Sequence, residues 1–186
     1  MTKSTKIVAA LGVVAGLGIA ALPLGTFAAS DSKNVEVELT VQSAVNIASD
    51  SANDCKASML PGQTATCTAK IGYATNNATG MTLTLKDADD NTNLVHADDS
   101  TATIATGAGA VAAGTEKWNV SGGLLTNPTA MVASTGTALT VASENGPVDK
   151  QAANDMITMT YHFSTANSTK SGVYSDIVTY TATTNN

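Results

Sequence analysis

The sequence predicts an all-β protein: an antiparallel β-sandwich of Ig-like or jelly-roll-like layout, preceded by an N-terminal signal helix. The first 28 residues have the layout of a secretory signal peptide. The remaining residues are rich in threonine and valine, whose branched Cβ atoms favour strands. Apolar and polar residues alternate in many short stretches separated by turn residues. Residues 29–186 are long enough for a single β-sandwich domain with its own core.

The N-terminal leader, residues 1–28, predicts the compartment in which the protein works. Lys3 and Lys6 precede an uncharged apolar run over 7–22, and residues 26–28 place small side chains where a signal peptidase cuts. We therefore predict that residues 1–28 are removed and that the protein is secreted to the extracellular cell surface. The alternative is an uncleaved membrane anchor, because residues 7–29 are long enough to cross a bilayer as a helix. Membrane contact is expected only through this leader.

The charge balance excludes some partners. The chain has a formal net charge of −6, and removing residues 1–28, with two lysines and no acidic residue, makes it −8. It contains no arginine, the side chain best suited to phosphate and base contacts. We therefore expect no nucleic-acid partner and no anionic membrane surface as a partner.

Cys55 and Cys67 are the only cysteines. An even pair in an exported chain predicts one disulfide, and two free buried thiols are the alternative. No zinc site is expected, because no histidine lies near the two cysteines.

The strands follow from period-two alternation. Residues 34–47 predict a long half-buried strand that bends near Ser43. After the Pro61–Gly62 turn, residues 63–73 repeat the pattern with Cys67 facing inward. The third strand carries Met81, Leu83 and Leu85. The later predicted strands are shorter, apart from the last two: 94–96, 101–105, 116–120, 131–133, 138–142, 157–163 and 173–183, with a loop at 107–114.

Two segments resemble known bacterial modules. Gly172-Val173-Tyr174, followed by alternating valine and threonine to Thr181, resembles the closing strand of bacterial surface β-sandwiches. Residues 117–124, around Trp118-Asn119-Val120, resemble the tryptophan strand of WxL-type cell-wall-binding domains. That family has Trp-x-Leu twice, whereas this chain has Trp118-Asn119-Val120 and Tyr180-Thr181-Ala182. The resemblance implies a secreted surface module, and wall binding would depend on these altered motifs.

One acidic run has the spacing of a metal loop. Asp87, Asp89, Asn91 and Asn93 place oxygens at alternate positions, which can converge on one Ca²⁺. Thr92 stands where an EF-hand loop needs glycine. The alternative is a polar hairpin turn, in which Asp and Asn are common. No other cofactor is expected.

Trp118, with the tyrosines, is a candidate sugar-binding platform, although a single tryptophan more often packs in a sandwich core. We predict no enzymatic activity, because the sequence has no nucleophile elbow, phosphate loop or dinucleotide fingerprint.

Together these features predict a structural or adhesive protein. Its expected partner is the cell wall, a surface polymer or another surface protein. A self-assembling pilin-like subunit is the alternative, in which the strand at 34–47 completes a neighbour's sheet. A secreted hydrolase is the third and least favoured class.

Overall fold

A computed structural model describes residues 36–49 and 55–186, and divides the chain into two units, Met1–Leu39 and Thr40–Asn186. The predicted signal helix, its cleavage site and the boundary at residue 28 lie outside the described residues. In the first unit, Val37 and Leu39 are 88% and 84% exposed. No helix among the described residues is long and apolar enough to cross a membrane.

The second unit is built from twelve strands and no described helix, which confirms the all-β prediction. In chain order they are β1 Val45–Ser49, β2 Thr64–Thr75, β3 Met81–Asp87, β4 Leu94–His96, β5 Asp99–Ile104, β6 Lys117–Gly122, β7 Leu125–Thr129, β8 Leu139–Glu144, β9 Val148–Asp149, β10 Ile157–Ser164, β11 Tyr174–Ser175 and β12 Val178–Thr184.

The strands form three sheets. The largest has the order β1-β2-β10-β6-β7, with β9 also paired to β2. The other two have the orders β12-β3-β8 and β11-β4-β5. Every strand pair is antiparallel, as predicted. Because strands distant in sequence are neighbours in the sheets, the fold depends on long-range pairing rather than on hairpins alone.

One hydrophobic core joins the inward faces of all three sheets. Its centre is fully buried and includes Leu83, Leu85, Val120, Val141 and Met159. The alternate residues on β3 and β10 are mostly threonines, which are half-buried apart from Thr158 and suit a pleated surface with one face towards solvent. This arrangement is an antiparallel β-sandwich.

Several strand predictions are confirmed, and others need correction. The predicted strand at 34–47 is only partly formed, because β1 begins at Val45 and residues 36–44 belong to no strand. The predicted strand at 131–133 is wrong. That segment is a loop, in which the Met131 amide donates to the Thr106 hydroxyl at 2.8 Å and the Val132 carbonyl accepts from the Asp87 amide.

The remaining corrections concern short or interrupted strands. β7 and β9 were not predicted, since β7 contains Pro128 and β9 has only two residues. The predicted last strand at 173–183 is two strands, β11 and β12, which belong to different sheets. Asp176 and Ile177 make the break between them.

Candidate functional site

A mostly apolar groove of about 930 Å³ lies between the sheets of the domain. One wall is the inward face of β2 and β10, and the other is formed by β4, β5, β11 and β12. The strand residues that line it include apolar and aromatic side chains: Ala69, Ile71, Leu94, Phe163, Val178 and Tyr180. A concavity lined in this way is the usual setting for a binding site.

The edge strand β12 lies along the groove. In the sheet β12-β3-β8, the central strand β3 buries Leu83 and Leu85 completely. On the neighbouring strand β12, the inward residues Val178 and Tyr180 are only half-buried. Among the described residues β12 forms backbone pairs with β3 alone, and β1 of the same chain lies close to it. The side chains of Val178 and Tyr180 line the groove.

Two tyrosines place polar groups inside this apolar space. The hydroxyls of Tyr161 and Tyr180 are 2.9 Å apart and form a hydrogen bond. Burial raises the pKa of Tyr161 above its ordinary value, and burial together with the neighbouring Tyr161 raises the pKa of Tyr180. Both hydroxyls therefore stay neutral at physiological pH, and the groove carries no charge at this point.

The disulfide forms one rim of the groove. Cys55 and Cys67 are bonded, as predicted, with their Cα atoms 5.4 Å apart. Cys67 lies on β2 with its side chain on the inward face, so the bond fixes the segment 55–59 against the groove. A short cross-link of this kind stabilises the loop mainly by limiting the unfolded chain. The bond indicates an oxidising, extracellular environment.

The segment 170–175 forms the opposite rim. The Tyr174 ring meets the buried His96 ring edge-on, with centroids 5.0 Å apart. Gly172 has a φ of 148°, and a Cβ at this position would collide with the His96 ring, so a side chain cannot be accommodated there. Lys170 forms an ion pair with Asp99 at 2.8 Å. This ion pair and the Thr101 contacts lower the pKa of Asp99.

The predicted calcium run forms a chain of local turns. The first carboxyl, of Asp87, accepts the Asp89 amide at 3.0 Å; Asp89 in turn accepts the Asn91 amide, and Asn91 accepts the Asn93 amide. These are the side-chain-to-backbone bonds of Asp and Asn turns. Three of the four candidate ligands thus use one oxygen for backbone contacts. The calcium site stays a prediction beside the hairpin-turn alternative.

Asp176 lies beside this acidic run, which the sequence pattern did not predict. Asp176 precedes β12, and the chain is fixed here by a 2.9 Å bond from the Ala88 amide to the Ile177 carbonyl. The carboxyl of Asp176 lies within hydrogen-bonding reach of Asp87, and each has a buried Oδ2 without a partner among the described residues. Burial, followed by the Asp87 carboxyl, raises the pKa of Asp176 to about 7. Eighty-eight residues lie between Asp87 and Asp176, so a local sequence pattern does not reveal this pair.

The other candidate residues lie in different surroundings. Trp118 is 1% exposed, and its indole N–H donates to the Thr92 carbonyl at 3.0 Å, so it packs in the core behind the groove. His162 is on the outer face, as predicted, with Nε2 2.8 Å from the Ser121 hydroxyl. A binding role for Trp118 stays a prediction.

Comparison of the chain with protein-family models and with curated proteins finds no match. The resemblance to WxL-type domains therefore stays a prediction from the two quoted segments.

Proposed function

We propose that this protein is a non-enzymatic structural or adhesive component of the bacterial cell surface, and that it acts by holding another chain in the apolar groove. The groove carries the proposal, because its strand walls are mostly apolar and because β12 beside it forms backbone pairs with one strand alone among the described residues. A strand edge presents a row of N–H and C=O groups to an extended chain. The partner class is therefore an extended polymer of the wall or surface, or another surface protein.

The predicted export of the protein supports this role. The leader pattern indicates secretion, and the Cys55–Cys67 disulfide suits an oxidising compartment. Because two segments resemble those of WxL-type domains, the cell wall is the specific surface on which binding should be tested. Cofactor chemistry forms no part of the proposal.

Cell fractionation tests the proposal. The protein is expressed in an exporting bacterial host, and washed cell walls, membranes and medium are then assayed separately. We expect it on the wall or surface fraction, and we expect purified protein to bind washed walls or cells. Recovery solely in the medium, with no binding to either surface, contradicts an adhesive role.

A self-assembling pilin-like subunit is the second candidate. It is favoured by one observation: the apolar residues Val37, Leu39 and Val41 are 88%, 84% and 73% exposed, although they alternate as in a half-buried strand. Three large apolar side chains in one exposed strand-like segment mark an interaction surface. An assembling subunit gives ladders or fibres on gels and in electron micrographs, whereas a wall-binding monomer does not.

A further inference from the structure

We infer that Asp87, Asp89 and Asp176 bind a divalent cation, Ca²⁺, at the point where the chain crosses twice between two of the sheets. The site differs from the calcium loop predicted from the sequence, because the distant Asp176 takes the place of Asn91 and Asn93 as a ligand. The inference goes beyond the proposed adhesive function and does not depend on it.

Two connections cross between the same pair of sheets at this point. Residues 88–93 lead from β3 to β4, and residues 176–177 lead from β11 to β12. β3 and β12 belong to one sheet, whereas β4 and β11 belong to another. A cation held between these two connections would therefore join the two sheets where the chain passes from one to the other.

The register of the strands brings the three carboxyls together. β3 and β12 pair as far as Asp87, and beyond it the Ala88 amide donates to the Ile177 carbonyl at 2.9 Å. One further step in this antiparallel register sets Asp89 opposite Asp176. Residues two apart along a strand share a face, and opposite and diagonal neighbours are within reach of one another. The three carboxyls therefore come to one face of the paired segments.

Asp87 and Asp176 each have a buried oxygen without a partner. Asp87 is 2% exposed, and its Oδ1 accepts the Asp89 amide at 3.0 Å, but its Oδ2 has no hydrogen-bond partner among the described residues. The same holds for Asp176, whose Oδ1 accepts the Ile177 amide and whose buried Oδ2 is unpaired. The two carboxyls lie within hydrogen-bonding reach of each other. Since buried polar atoms are normally satisfied, two adjacent oxygens of this kind favour a bound cation.

The charges that act on Asp176 have the same sign as its own. They belong to Asp87 and Asp89. The lysine next in the chain, Lys86, is on the other face of β3, where it donates to a backbone carbonyl at 2.8 Å. Lys170 forms its own ion pair at 2.8 Å. Like charges at a half-buried position destabilise the fold, and a divalent cation would turn this repulsion into attraction.

Ca²⁺ is the cation that suits these oxygens. It prefers carboxylate and water oxygens, and it accepts about six to eight of them in a flexible geometry. In the described part of the chain, no three metal-binding side chains are already gathered around one point. The exposed Asp89 would therefore close onto the cation, and water would complete its shell. Extracellular modules bind Ca²⁺ with dissociation constants of ~10⁻⁴–10⁻³ M, and a site with so few ligands belongs in that range.

Titration with Ca²⁺ tests the site. The purified protein is freed of metal with a chelator and titrated in a calorimeter at neutral pH. Its melting temperature is then compared in CaCl₂ and in NaCl of the same ionic strength. We expect binding heat with a dissociation constant of ~10⁻⁴–10⁻³ M, and at about 10 mM Ca²⁺ a melting temperature about 3–10 °C above that in NaCl.

Two variants separate this site from the calcium loop predicted from the sequence. Asp176→Asn removes a ligand of the proposed site alone, and it should weaken Ca²⁺ binding at least about tenfold. Asn93→Ala removes a ligand of the predicted loop alone, and it should bind Ca²⁺ as wild type does. Circular dichroism and melting curves in chelator show that both variants are folded before Ca²⁺ is added.

The outcomes are distinct from those of the adhesion test. Equal Ca²⁺ affinity in Asp176→Asn and wild type overturns the inference. A wild type that gives no heat and melts at the same temperature in CaCl₂ and NaCl also overturns it, since the two carboxyls then share a proton instead. Wall binding is assayed on the same proteins: its absence, with Ca²⁺ binding that depends on Asp176, contradicts wall adhesion and supports the cation site.

Discussion

Asp176 gives the sharpest test of the electrostatics in this fold. Its carboxyl is half-buried beside Asp87, and its pKa is raised from 3.8 to about 7. Asparagine has nearly the same shape as aspartate but carries no charge, so we expect Asp176→Asn to stabilise the protein at pH 8. At pH 4 the wild-type carboxyl is largely protonated in the folded state, and the two proteins should then differ little.

The size of the effect follows from proton linkage. The folded state holds the proton of Asp176 more tightly than the unfolded chain does, so the free energy of unfolding falls as pH rises from about 4 to about 7. A shift of about three pH units corresponds to at most ~4 kcal/mol. Because Asp176 is only half-buried, solvent screens part of this interaction, and we expect ~1–2 kcal/mol.

The assay is urea unfolding followed by fluorescence of Trp118, the only tryptophan, which is buried in the folded state. Each protein is measured between pH 4 and pH 8. Groups outside this cluster, such as Asp99, titrate equally in both proteins, so the difference between them isolates Asp176 together with the carboxyls beside it. Asp155→Asn, at an exposed position, is the matched control. Its free energy of unfolding should differ from that of wild type by an amount that does not change with pH. A stability gain that is constant with pH, or a loss at pH 8, refutes the reasoning.

The remaining predictions concern stability and metal binding. Replacing Cys55 and Cys67 together by serine should lower the free energy of unfolding by ~3 kcal/mol in urea titrations, as expected for a short loop. Leu83→Ala should cost ~2–5 kcal/mol in the same assay, whereas Leu124→Ala, at a position 57% exposed, should cost under ~0.5 kcal/mol. Calorimetric titration with Ca²⁺ decides between the calcium site and the hairpin turn: a bound cation gives heat in wild type that Asp89→Asn abolishes, and a turn gives heat in neither.

The sequence predicted the fold class because burial and alternation agree along the central strands. On β2, β3 and β10 the inward residues are mostly apolar or small, with buried Asp87 an exception, and their neighbours are mostly threonine or another polar residue. Period-two alternation carries this signal directly. It fails at β9, which is too short to show a period, and at β7, where Pro128 resembles a break. It also failed at Met131, which is buried through a loop rather than through a strand.

The candidate site was less accessible to sequence reasoning. The disulfide was predictable from two cysteines and the predicted signal peptide alone. The groove did not, because it depends on which strand ends each sheet, and strand order is a property of long-range pairing. The Asp87–Asp176 pair was hidden for the same reason: β3 and β12 are neighbours in space, although they are separated by more than half of the domain's strands.

The segment at 34–47 shows what alternation can and cannot establish. The pattern predicted a strand with one buried face, and the structure pairs only its last part, from Val45. A period-two pattern predicts that one face of a strand is buried, but it does not identify the molecule that buries this face. Exposed Val37, Leu39 and Val41 are costly in water unless something covers them. Residues 36–41 are therefore the surface on which the proposed pilin-like assembly should be tested.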